Sequence, residues 1–85
     1  MPYINSERRD ELYNSHENSI KDWPRTAGEL NFLITIMCNE FVPENTYRNL
    51  NEVIGVLECV KQEFYRRVVV PYEEQKRLEN GDVYE

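Results

Sequence analysis

The ten residues from Leu30 to Asn39 (Leu-Asn-Phe-Leu-Ile-Thr-Ile-Met-Cys-Asn) carry no charge, in a chain in which 31% of residues are charged. The run reads as a helix, and a helix that is apolar nearly all round is expected to be enclosed rather than laid on a surface. Its polar side chains, Asn31, Thr35 and Asn39, recur every four residues and so form one stripe. On an enclosed helix such a stripe needs partners: other side chains, a second subunit or a ligand.

The signals around this run delimit it. Thr26-Ala27-Gly28-Glu29 fits a capping box, in which the Thr26 hydroxyl accepts from the Glu29 amide and the Glu29 carboxylate reaches back to the Thr26 amide. The helix is expected from about Ala27 to Phe41, with Pro43 as its stop. The connection Pro43-Glu44-Asn45-Thr46 is short, and short connections usually join antiparallel neighbours. A further helix starts near Tyr47 or Leu50 and runs to about Val69. Leu50, Val53, Leu57, Val60, Phe64 and Val68 mark its apolar face at spacings of three and four. Pro71 breaks or kinks the chain, or opens a fourth helix at its first position. Tyr72 to Glu79 suits a short helix, with acidic residues early and basic residues late, and Asn80-Gly81 reads as its stop. At the other end, Ser6 reads as the cap of a thin first helix from about Glu7 to His16, and Trp23-Pro24 ends that segment. No strand-like alternation is evident.

These elements predict an all-α domain over residues 1–85. An antiparallel two-helix hairpin forms its centre, with a loosely attached N-terminal segment (1–25), a short C-terminal helix and a tail (80–85). A chain of 85 residues has a modest core of its own. A charge-free helix needs more cover than one neighbour and two thin segments provide. A helical homo-oligomer is therefore expected, with a dimer as the default symmetry.

Composition narrows the function. A net charge of −6 opposes wrapping a nucleic-acid polymer, where affinity comes from neutralising phosphates. No apolar stretch approaches the roughly 20 residues of a membrane helix, and none resembles a signal peptide. Cys38 and Cys59 read as buried, reduced thiols, which points to the cytoplasm. One histidine and two distant cysteines make no metal set, and no cofactor motif or nucleophile context is present. Glu29 and Glu58 could act as paired carboxylates, but Glu29 already has a capping role. A non-enzymatic role is expected.

Three constellations remain. The stripe of Gly28, Asn31, Thr35 and Asn39 has a counterpart in Asn51, Gly55, Glu58, Gln62 and Tyr65 on the next helix. Gly55 inside a helix costs about 1 kcal/mol relative to Ala, which close approach of a backbone or ligand would offset. Glu63-Phe64-Tyr65-Arg66-Arg67 places two guanidinium forks near a helix end, where they favour the helix dipole or hold an anion. Tyr65 or Tyr72 could stack on a base. Tyr72, Leu78, Val83 and Tyr84 offer apolar surface for docking the tail.

Gly28-Glu29-Leu30-Asn31, Asn51-Glu52-Val53-Ile54-Gly55-Val56-Leu57-Glu58, Glu63-Phe64-Tyr65-Arg66-Arg67, Pro71-Tyr72-Glu73 and Asn80-Gly81-Asp82-Val83-Tyr84 together resemble a family of short uncharacterised proteins of phages and bacteria. The resemblance covers about Gly28 to Tyr84 and leaves the first 25 residues outside. It implies phage or prophage origin and supplies no activity. By analogy of size and setting with small helical phage oligomers that sequester nucleotide immune signals, the first expectation is a binder of a small anionic, nucleotide-like ligand. Its site would comprise Asn31, Thr35, Asn51, Glu58, Tyr65, Arg66, Arg67 and Tyr72. The alternative is a protein-interaction module that masks a host protein.

Overall fold

The computed structural model describes residues 4–84, so Glu85 of the expected tail lies outside the described residues. The chain divides into two compact units, 1–44 and 45–85.

The first unit opens with helix α1 (Ser6–Leu12). Its cap is Asn5, whose side chain accepts from the Arg8 amide at 2.8 Å, and the expected cap Ser6 is the first helical residue instead. The helix stops at Leu12, short of His16, because the chain turns into a small antiparallel hairpin. Strands β1 (Tyr13–Asn14) and β2 (Ser19–Ile20) pair Tyr13 with Ile20 and Asn14 with Ser19. This corrects the expectation of no strand. The hairpin is too short for alternation to register, and its signal lies in the turn. The Asn14 side chain accepts from the amides of His16 and Glu17, at 2.9 and 3.3 Å. Asn18 takes a positive φ of 50°, which asparagine tolerates better than most residues.

Helix α2 (Ala27–Phe41) has the expected bounds. The Thr26 hydroxyl accepts from the Glu29 amide at 3.1 Å, as a capping box requires. The reciprocal half differs: the Glu29 carboxylate accepts from the Arg25 amide at 3.0 Å and from Arg8 at 2.8 Å. α1 lies against α2, and Leu12 and Leu33 are the buried apolar residues among those described. Across that contact Arg8 donates to Asp22 at 2.9 Å and to Glu29 at 2.8 Å. The hydrogen bond from Arg8 holds both carboxyls below their usual range, and the two carboxylates raise Arg8 further. This clamp joins α1, the segment after the hairpin and the start of α2.

The second unit is one helical run. α3 (Tyr47–Phe64) starts on Thr46, whose side chain accepts from the Asn49 amide at 3.1 Å. A π-helical turn (Tyr65–Val69) follows, and α4 (Val70–Asn80) continues directly from it. The backbone at Phe64, Tyr65, Val69 and Val70 is right-handed helical, so the run is unbroken. Pro71 is the second residue of α4 within this run, so it neither breaks the chain nor opens a separate helix as expected. A proline lacks an N–H and crowds the carbonyl four residues back. The π turn immediately before it widens the backbone where that clash would fall. Gly81, at φ 86°, ends α4, with its amide donating to the Arg77 carbonyl at 2.9 Å.

Candidate functional site

The long helix of the second unit has no buried residue among those described. Leu50, Val53, Leu57, Val60 and Phe64 repeat at three and four residues, the spacing of a coiled-coil seam. An unmodified helix would next bring Arg67 to the seam. The π turn adds one residue, which keeps Val68 there instead. Leu50, Leu57, Val60, Phe64 and Val68, with Ile54 beside them, are between 37% and 64% exposed. Fully burying such a side chain stabilises by about 1.5–3 kcal/mol, so the open surface of these six represents roughly 5–9 kcal/mol per chain. Within its own unit this helix has no second element to pack on, and helices gain most of their stability from packing an apolar face.

α2 carries a similar stripe. Leu33 faces the core, whereas Leu30, Ile34, Met37 and Phe41, again at spacings of three and four, are exposed. The charge-free helix is thus half covered rather than enclosed. Its polar stripe is not forced to find an external partner. Asn31 and Asn39 are exposed, and Thr35 donates to the Asn31 carbonyl at 2.8 Å and to its side-chain oxygen at 3.3 Å. Hydrogen bonding within the helix satisfies it.

The remaining residues of the expected ligand site lie in the second unit. Asn51 and Tyr72 are separated by about 30 Å of helix at 1.5 Å per residue, beyond the reach of one small ligand. Asn51, Glu58 and Tyr65 share the outer face. There Glu58 accepts from Gln62 at 3.1 Å and pairs with Lys61 at 3.4 Å, and the Gln62 hydrogen bond lowers its pKa first and Lys61 second. Gly55 lies on this face, and a Cβ added there would meet nothing within 4 Å, so no close approach explains the glycine. Arg66 and Arg67 both pair with Glu63, the latter at 3.7 Å. One carboxylate thus partly neutralises the doublet. Tyr72 is exposed, with the Lys76 ammonium 5.6 Å from its ring centre. Cys59 is exposed rather than buried, because it too points off the seam, and both Cys38 and Cys59 are free thiols.

At the C-terminal end, a groove of about 460 Å³ is lined by Tyr72, Lys76, Arg77, Asp82, Val83 and Tyr84, among others. Its cations are engaged: Arg77 by Glu74 at 2.7 Å and Asp82 at 3.8 Å, Lys76 by Glu79 at 3.2 Å. With Glu73, Glu74 and Asp82 around it, the groove opposes an anionic occupant. Among the described residues no cluster of His, Cys, Asp or Glu could hold a metal, and no helix is long and apolar enough to cross a membrane.

Neither curated proteins nor solved structures give a match. One family does, over residues 1–83. The motif resemblance begins at Gly28, whereas this match includes the first 25 residues, so α1, the hairpin and the Arg8 clamp lie within the family's extent. The chain belongs to the family described as a domain of unknown function, DUF6899.

Proposed function

We propose that this chain is a non-enzymatic protein-interaction module that works as a homo-oligomer, with the Tyr47–Asn80 helix as its docking element. The observation that carries the reading is the uncovered seam on that helix, continuous from Leu50 to Val68 across the π turn. Apolar residues spaced for coiled-coil packing, without a single buried member, suit a surface completed by another helix. Unpaired thiols fit a reducing cytoplasm. A phage or bacterial origin, and use of the assembled module to mask a host protein, belong to the same proposal. Sedimentation velocity of the full chain at micromolar concentration tests it. An oligomer that Phe64→Asp dissociates is expected, and a monomer refutes it.

A second reading retains the small anionic, nucleotide-like ligand. Its support is the single turn that carries Tyr65, Arg66 and Arg67, all exposed, with Glu63 shared between the two guanidiniums. A thermal-shift panel of cyclic and linear nucleotides tests it. A ligand at 100 times its Kd stabilises by about 2.7 kcal/mol. An unshifted melting curve across the panel refutes this second reading.

A further inference from the structure

The seam also has a direction. Its first heptad positions are Leu50, Leu57 and Phe64, all large, and its second are Val53, Val60 and Val68, all small. A parallel two-stranded coil favours the reverse, with β-branched residues first and Leu second. It would also stack large on large and small on small. An antiparallel pair instead sets each first position against a second position of the other helix. With Leu57 opposite the partner's Val60, the other layers become Val53 with Phe64 and Leu50 with Val68. Every layer then joins one large and one small side chain, as close packing requires. The outermost layer stays in step because the π turn supplies the extra residue before Val68.

Charge points the same way. Residues 47–58 contain Arg48, Glu52 and Glu58, a net −1. Residues 59–69 contain Lys61, Arg66, Arg67 and Glu63, a net +2. Parallel pairing sets +2 beside +2, whereas antiparallel pairing sets +2 beside −1 and opposes the helix dipoles. The open apolar surface is roughly 200–400 Å² per copy by the same transfer scale. With a polar rim of ordinary proportion, a pair buries about 600–1,300 Å², which spans the roughly 1,000 Å² of a specific interface.

We infer that two copies pair antiparallel through Leu50–Val68 in this register. The inference rests on the interaction-module reading and gives it a partner and a geometry. One consequence concerns the polar residues. In this register Glu52 comes level with the partner's Tyr65, and Asn51 with the partner's Arg66 and Arg67.

Pulsed dipolar EPR on the full chain tests the geometry. Cys59 is labelled in a Cys38→Ser background, and Glu73→Cys in a chain with Cys38→Ser and Cys59→Ser. Residues 59 and 73 are exposed, so circular dichroism should confirm an unchanged helix content. The antiparallel register places the two residues 59 level and the two residues 73 about 42 Å apart along the axis. A short distance at 59 with a long distance at 73 is expected. Short distances at both positions mean parallel pairing, which overturns the inference and leaves the module reading standing. A monomer without dipolar signal at either position overturns both.

Discussion

Phe64 is the most informative residue to truncate. It is 60% exposed, and fully burying a phenylalanine stabilises by up to about 3 kcal/mol, so its open part represents about 1.8 kcal/mol. An antiparallel pair holds two copies of the Val53–Phe64 layer. Phe64→Ala therefore removes about 3.6 kcal/mol from association, which is a few hundred-fold in Kd. Leu78→Ala is the matched control. Leu78 is more exposed, at 79%, but lies on α4 beyond the seam, so its truncation leaves association unchanged. Sedimentation equilibrium across a concentration series gives both constants. Equal weakening by the two substitutions, or an unchanged Kd for Phe64→Ala, would refute the seam as the contact. The first result would mean that exposed apolar area acts nonspecifically, and the second that association uses another surface.

Gly55→Ala is expected to stabilise by up to about 1 kcal/mol, because the position is helical and a Cβ there meets nothing within 4 Å. A loss of association in that variant would show instead that Gly55 admits a close neighbour. Leu33→Ala should cost about 2–5 kcal/mol and lower the Tm by about ten degrees or more, since Leu33 is one of two buried apolar residues among those described. Thermal melting that moves by only a degree or two would remove Leu33 from the core. The Arg8 clamp predicts an acid-linked loss of stability. Asp22 and Glu29 have lowered pKa values, so the stability they contribute is complete above the ordinary carboxylate range and is lost as pH falls through the lowered values. Arg8→Gln should lower the Tm at pH 7 and flatten its dependence on pH below about 5, measured against the parent chain. Parallel Tm-against-pH curves for the two proteins would refute that linkage.

Much of the local structure is legible from residue order. Thr26, Glu29 and Pro43 bracket α2, and Asn80-Gly81 ends α4, because caps and stops act on backbone groups within a few residues. The periodic face from Leu50 to Val68 is legible for the same reason. The β1–β2 hairpin is not, because two-residue strands leave no period to read and depend on a turn closed by Asn14 and Asn18. Glu29 reads as a cap of its own helix, yet its carboxylate also accepts from Arg8, 21 residues away. No local rule could pair them.

The candidate site divides in the same way. Tyr65, Arg66 and Arg67 are visible in sequence as one turn, whereas the pairing of both arginines with Glu63 depends on the rotamers adopted. The sequence by itself determined where helices begin and end and which residues share a face, since both follow from interactions over three or four residues. Only the tertiary structure decided which faces are covered. It buries Leu33 under α1 and leaves the neighbouring stripe of Leu30, Ile34, Met37 and Phe41 open. Burial depends on what lies across a face, and periodicity along one helix does not contain that information.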